Sequence, residues 1–200
     1  MSKTKSATKR KVGGFDWKQI ASLGLSLLII TAVAATVLSL VNALTADAIT
    51  MRQEAARQEA MVCVMPNADV FSDLYSKDET IERITGAYHG TRFVGYCVEV
   101  SPNGFGGAIS LVVGVSANGK VTGVTVLEHS ETPGLGAKAE EPDFLQQYVG
   151  KSGKIVVGSD INAITGATIT SKAVTDGVNT AVTAVINYNA EGGQEYEGDV

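Results

Sequence analysis

The chain has 200 residues, of which 44% are hydrophobic and only 18% are charged, and its formal net charge is −5. Much of the apolar content lies between Lys18 and Asp47, where 28 consecutive positions carry no Asp, Glu, Lys, Arg or His. This distribution predicts a membrane span and excludes a freely soluble cytosolic protein.

The uncharged segment, residues 19–46, is predicted to form a single transmembrane helix. Twenty-five helical residues reach roughly 37 Å, which crosses a hydrocarbon core of about 30 Å with some tilt. A cleaved secretory signal is the alternative, because Ala46-Asp47-Ala48 resembles a small-residue cleavage site. The length favours an uncleaved anchor, since the apolar core of a signal runs roughly 7 to 15 residues.

Charge is distributed unequally about this anchor. The leader, residues 1–18, holds six basic side chains against one acid, whereas the remainder holds ten basic against twenty acidic. The positive-inside rule then predicts a cytoplasmic leader in an inner or cytoplasmic membrane, with the remainder on the periplasmic or extracellular side. The acidic remainder argues against a nucleic-acid partner.

Three further regions follow the anchor. Residues 47–60 are rich in Ala, Gln, Glu and Arg, which predicts a helical stalk. Residues 61–188 are long enough for one hydrophobic core and are predicted to form the extracytoplasmic folded domain. The tail, residues 189–200, is acidic and interrupted by glycine, and we expect it to be disordered.

Strand patterns predict a sheet within this domain. Residues 93–100, 109–115 and 121–127 are rich in β-branched and aromatic residues, and Asn118-Gly119 between the last two indicates a hairpin. A short strand is also predicted over residues 154–157. Gly104-Phe105-Gly106-Gly107 is interpreted as turn sequence.

Helices are predicted over residues 68–75, 142–149 and 171–187. Pro142 suits a first helical turn. Apolar residues at helical spacing predict the buried faces of the last two helices. These residues are Phe144, Leu145, Tyr148, Val149, Val174, Val178, Ala181, Val182, Val185 and Ile186. The predicted class is α+β, an antiparallel sheet packed by helices.

The cysteines and histidines are few. Cys63 and Cys97 allow one disulfide or two buried free thiols, and the sequence does not choose between them. His89 and His129 stand forty residues apart without a pattern of metal ligands, so we predict no metal site.

One candidate site lies at residues 162–171, where a Gly-Ala turn leads into the last helix. Thr168, Thr170 and Ser171 place hydroxyl groups beside first-turn amides, and such amides bind phosphate. The same residue types are also preferred as structural N-caps, and by residue type alone the cap is favoured.

A second candidate site is the segment His129-Ser-Glu-Thr-Pro-Gly-Leu-Gly-Ala-Lys138, directly after the hairpin. Its Pro-Gly pair and the next glycine make a tight loop that permits a flat ring to lie against the main chain. By composition alone an ordinary surface loop is favoured.

Together, in this order and behind a single anchor, the two segments resemble the FMN-binding subunits of the Rnf complex and of the sodium-translocating NADH:quinone reductase. Thr165-Gly166-Ala167-Thr168 matches the end of that family's D-x-x-[ST]-G-A-T motif, with Asn162 in place of Asp. The family's E-T-P-G-L-G loop is matched by Glu131, Thr132, Pro133, Gly134, Leu135 and Gly136. The compact length is more similar to the G subunit of the Rnf complex than to the C subunit of the reductase.

The resemblance implies FMN joined through its phosphate to the hydroxyl of Thr168. It places the remaining motif residues about the flavin, namely Thr165, Gly166, Ala167, Thr170 and Ser171 together with the E-T-P-G-L-G loop. It assigns the attachment to a separate Mg²⁺-dependent flavin transferase, because a threonine hydroxyl is a poor nucleophile at neutral pH. No catalytic residue of the chain itself is implied beyond the flavin.

The implied function is an electron-transfer subunit that works with other membrane subunits to couple ferredoxin or NADH oxidation to Na⁺ or H⁺ movement. One alternative is the C subunit of the sodium-translocating reductase. Another is a non-redox tethered scaffold whose Ser/Thr-rich helix start is only a cap. Asn162 either weakens recognition by the transferase or serves as well as Asp in local hydrogen bonding.

Overall fold

In the computed structural model, the described residues are 17–74 and 81–190. The predicted basic leader and acidic tail fall largely outside these ranges. The chain divides into two compact units, one ending at Met51 and the other beginning at Arg52.

The first unit is the N-terminal part of helix α1, which begins at Trp17 and continues to Val64. It is long and apolar enough to cross a membrane, a property shared by signal sequences near an N-terminus. Five of its hydroxyl side chains donate to carbonyl oxygens of the helix itself, as when Thr36 Oγ1 donates to the Ala32 carbonyl oxygen at 2.7 Å. Polar groups in the hydrocarbon core of a membrane require hydrogen bonds within the protein, because no water is present there.

The second unit is built on a five-stranded antiparallel sheet, in which each strand pairs with the next along the chain. Gly119, with φ +73°, makes the last hairpin turn, as the Asn-Gly signal predicts. The prediction of an α+β class with an antiparallel sheet is confirmed. The strands are β1 (Val70–Leu74), β2 (Ile81–His89), β3 (Arg92–Val100), β4 (Ile109–Ser116) and β5 (Val121–His129).

Two helices cover one face of the sheet. They are α2 (Pro142–Leu145), which a 3-10 turn extends to Tyr148, and α3 (Thr168–Ala190). Removal of apolar side chains from water stabilises this layer by roughly 25 cal/mol per Å². Its fully buried members include Val98, Val100, Leu111, Val113, Tyr148, Val174, Val178 and Ala181.

The opposite face receives the last turns of α1. Val64 packs over the paired residues Gly114 and Gly123. A Cβ added at Gly114 would lie 2.6 Å from the Val64 carbonyl oxygen, and one added at Gly123 would lie 2.9 Å from the Val64 Cα. Thr122 Oγ1 donates to that same carbonyl oxygen at 2.7 Å. The two glycines therefore form a groove that seats the end of the helix.

An ion-pair network holds α1 to the sheet about two turns before Val64, at Arg57. Arg57 is 7% exposed and contacts Glu99 at 3.0 Å and Asp73 at 3.1 Å. Burial by itself raises the pKa of Asp73, but hydrogen bonds from Thr85 and Arg57 outweigh it and hold the pKa below its ordinary value. The network and the glycine groove together hold the part of α1 that belongs to the second unit against the sheet.

Two predicted elements are wrong. Residues 68–74, the described part of the helix predicted over 68–75, are not helical, because residues 70–74 pair with the edge of β2 and become β1. Residues 154–157 do not form a strand of the sheet, and only a single bridge joins Val157 to Ile161. Strand β2 was itself not predicted, because Glu82 and Arg83 interrupt its apolar pattern.

Two predicted core positions are also wrong. Val149 is exposed because the chain becomes extended there, after the 3-10 turn that ends at Tyr148. Ile186 is exposed although it neighbours the buried Val185 on α3. The other predicted positions on α2 and α3 are buried.

Both thiols are free. Cys63 is exposed near the end of α1, and Cys97 is buried within β3. Burial raises the pKa of Cys97 to about 12. The Cys97 thiol is therefore protonated and inert at neutral pH.

Candidate functional site

Glu131, just after β5, joins the two candidate segments. Its side chain is buried, and Oε2 accepts a hydrogen bond from Thr170 Oγ1 at 2.7 Å. Oε1 accepts another from the amide of Gly106 at 3.0 Å. One carboxylate therefore connects the β3–β4 loop, the E-T-P-G-L-G loop and the first turn of α3.

Glycines on both sides make room for the Glu131 carboxylate. An added Cβ would lie 2.2 Å from Oε1 at Gly104 and 2.3 Å from Oε2 at Gly136. Gly136 does not have a positive φ, so close approach is what requires glycine there. Gly134 differs, because its φ is +77° and no atom lies within 4 Å of an added Cβ.

The hydrogen bonds also set the charge of Glu131. Burial by itself raises the pKa of this carboxyl group, but donors from Gly106 and Thr170 outweigh it and hold the pKa below its ordinary value. His129 also lowers the pKa of Glu131, and its Nδ1 accepts the Glu131 amide hydrogen at 3.2 Å. Glu131 is thus a buried anion at neutral pH.

Four hydroxyl groups of the first candidate segment divide into two pairs. Thr170 is buried and bonded to Glu131, and Ser171 Oγ donates to the Ala167 carbonyl oxygen at 2.9 Å while accepting from the Ile164 amide. These two hydroxyls support the turn from inside. Thr165 and Thr168 are exposed.

The exposed Thr168 is the first residue of α3. The amides of Thr168, Ile169 and Thr170 have no acceptor in the described part of the chain. Such first-turn amides, together with the helix dipole, favour an anion at this end. Gly166, with φ +82°, makes the turn that exposes them.

The two candidate segments touch each other. Leu135 Cδ2 would lie 3.3 Å from a Cβ added at Gly166. The Thr132 carbonyl oxygen accepts the amides of Leu135 and Ala137, both at 3.2 Å, and so closes the E-T-P-G-L-G loop. Leu135 and Ile169 expose apolar side chains beside Thr168.

Comparison with known proteins places this geometry in a family. Residues 104–183 match the FMN-binding domain family, and this range includes Glu131 and both of its hydrogen-bond donors, Gly106 and Thr170. The G subunit of the Na⁺-translocating ferredoxin:NAD⁺ oxidoreductase complex from Acetobacterium woodii is 40% identical over 88% of this chain and 95% of that protein. The chain belongs to the family of Rnf complex G subunits.

A second relative and a solved structure extend the comparison. The G subunit of the proton-translocating complex from Clostridium ljungdahlii is 32% identical over 86% of this chain and 95% of that protein. The name of the Clostridium protein specifies protons, whereas the name of the Acetobacterium protein specifies Na⁺. A crystal structure of Shewanella oneidensis NqrC matches with 21% identity and a TM-score of 0.47, over 64% of this chain and 74% of that one.

Two features of the site were not clear from the sequence. Asn162 stands at the position of the motif's Asp. Its backbone N–H donates to Gln147 Oε1 at 2.8 Å, and the residue is exposed. The β3–β4 loop was interpreted only as a turn. The turn is present, since the Gly104 amide donates to the Gly107 carbonyl oxygen at 2.7 Å, but the loop also binds Glu131.

Proposed function

We propose that this chain carries FMN through a phosphoester to Thr168 and serves as an electron-transfer subunit of an ion-translocating ferredoxin:NAD⁺ oxidoreductase. The observation that carries the proposal is the exposed Thr168 hydroxyl at the start of α3, beside three amides without protein acceptors. A phosphate ester on Thr168 accepts hydrogen bonds from these amides, which have no acceptor among the described residues when the hydroxyl group is unmodified. The FMN-binding family match supports the choice of ligand.

The other motif residues have separate roles in this proposal. Thr165, Gly166 and Ala167 form the turn beneath the phosphate. Thr170 and Ser171 hold that turn in place through their buried hydrogen bonds. The exposed part of the E-T-P-G-L-G loop, Thr132 to Leu135, faces the flavin side, while Glu131 and Gly136 lie inside. The flavin, once bound, supplies the electron chemistry.

Attachment requires a second protein. The Thr168 Oγ–phosphorus bond forms as the pyrophosphate bond of FAD breaks, AMP leaves, and the hydroxyl proton passes to a base. Glu131 does not serve as that base, because both its oxygens are engaged by Thr170 and Gly106. We therefore assign the base and the metal to an Mg²⁺-dependent flavin transferase.

The membrane and the remaining subunits complete the proposal. Helix α1 anchors the chain, and its basic leader keeps the N-terminus in the cytoplasm, so the flavin works on the outer side. The relatives are named as subunits of ion-translocating complexes, and we infer membrane-subunit partners here. Those names specify Na⁺ in one case and protons in the other, so we assign ion choice to the complex as a whole.

Expression with a flavin transferase tests the attachment. Thr168→Ala should abolish the fluorescent band of the denatured protein, whereas Thr165→Ala, which removes the other exposed hydroxyl, should retain it. Trypsin cleaves after Lys154 and Lys172 and so releases the decisive peptide, residues 155–172. Tandem mass spectrometry should place the FMN-phosphate mass of this peptide on Thr168. FMN mass on Thr165, Thr170 or Ser171 would refute the assignment, and a wild-type chain without covalent flavin would favour the scaffold alternative.

A further inference from the structure

The β3–β4 loop, residues 101–108, carries an exposed aromatic side chain. A bridge between Asn103 and Ala108 closes the loop. Its tip bears Phe105, which is 70% exposed and is the most exposed large apolar side chain among the described residues of the second unit. Neither motif that carries the family resemblance includes this residue.

Glu131 fixes the loop with respect to Thr168. Its carboxylate binds the Gly106 amide, next to Phe105, and the Thr170 hydroxyl, two residues after Thr168. Packing leaves little freedom, because a Cβ added at Gly106 would lie 2.1 Å from the Ser130 carbonyl oxygen. Phe105 is thus held near α3 by a buried charge and by close backbone contact.

Three exposed apolar side chains on the segments that Glu131 joins have the character of a ring-binding surface. Leu135 is 47% exposed and touches the Gly166 turn. Ile169 is 56% exposed and follows Thr168 in the sequence, and Phe105 extends from the β3–β4 loop. Aromatic rings interact through offset or edge-to-face packing. A ring tethered at Thr168 has a high effective concentration at this surface, which favours it over a freely diffusing occupant.

We infer that Phe105 forms a wall of the isoalloxazine site and that Glu131 is the positioning residue for that wall. The inference rests on the proposed attachment of FMN to Thr168. It assigns the β3–β4 loop a direct part in orienting the flavin, in addition to closing a turn.

Tryptophan substitution tests the contact. An indole that touches a flavin quenches its fluorescence by transferring an electron to the excited ring. The chain's single tryptophan, Trp17, lies in the anchor helix and leaves the second unit free of this quencher. Phe105→Trp in the full-length, flavinylated protein in detergent should therefore lower flavin fluorescence several-fold at equal flavin absorbance.

Ile186→Trp is the matched control. Ile186 is an exposed apolar residue on the same helix as Thr168, eighteen residues further on, which is roughly 27 Å along the helix axis. Its fluorescence should stay at the wild-type level. Equal brightness of the two tryptophan variants, with covalent flavin present in both, would overturn the inference and indicate that Phe105 faces something else, such as a protein partner.

A double variant tests the positioning role. Thr170→Val removes the hydroxyl that ties α3 to Glu131 and keeps the shape of the side chain. Added to Phe105→Trp, it should restore part of the fluorescence while circular dichroism shows an intact fold. Unchanged quenching would refute the role of Glu131, whereas a wild-type protein without covalent flavin would refute the proposed function instead.

Discussion

Gly136→Ala tests whether the Glu131 junction is as tight as its contacts indicate. An added Cβ would lie 2.3 Å from Glu131 Oε2, 2.9 Å from Glu131 Cβ and 3.0 Å from Thr170 Oγ1. The carboxylate is not a free side-chain end that moves aside at little cost. Any shift of Glu131 lengthens its hydrogen bond to Thr170 or to Gly106.

The expected loss of stability follows from two effects. Overpacking of a buried site costs about 1–3 kcal/mol. Weakening a hydrogen bond to a charged group costs about 1.5–3 kcal/mol. The two costs do not add fully, because a shift of Glu131 that weakens its hydrogen bond also relieves the steric overlap. We therefore expect a net loss of about 3 kcal/mol in the free energy of unfolding. At roughly 2–4 °C per kcal/mol for a domain of this size, Tm should fall by roughly 6–12 °C.

Gly134→Ala is the control from the same loop. Its positive φ of +77° costs an L-residue about 1 kcal/mol, but an added Cβ meets no atom within 4 Å. Thermal unfolding of both variants, followed by circular dichroism in detergent, gives the comparison. If Gly136→Ala is no less stable than Gly134→Ala, Glu131 is free to move and the argument for a tight junction fails.

Two further predictions concern acid and topology. Because the pKa of Glu131 in the folded state lies below its ordinary value near 4.5, its charge stabilises the fold above that value, and this stabilisation is lost as the pH falls through the folded-state pKa. Urea unfolding should show wild type more stable than Glu131→Gln at neutral pH, with the difference in stability shrinking as the pH falls below 4.5, and a difference that does not change with pH would contradict this. In intact cells a membrane-impermeant thiol reagent should label the exposed Cys63 but not Cys63→Ser. Labelling only after lysis would refute the outward orientation.

The site illustrates how local and distant information differ. The T-G-A-T turn, the helix start and the E-T-P-G-L-G loop are each readable as short segments. Their connection is not, because the Glu131 contacts reach 39 residues forward to Thr170 and 25 residues back to Gly106. No spacing rule relates residues so far apart, and the importance of the β3–β4 loop could not be deduced without the folded chain.

The sequence by itself determined the elements whose patterns are complete within one segment. The apolar run at the start of α1, the strands β3, β4 and β5 and the helix α3 carry their own periodicity, and Asn118-Gly119 specifies its turn. Only the tertiary structure decided β1, whose five residues become a strand because β2 offers them an edge. It also decided that Thr170 and Ser171 are internal supports while Thr168 faces outward. The physical reason is that burial and hydrogen-bond partners depend on what the fold brings into contact.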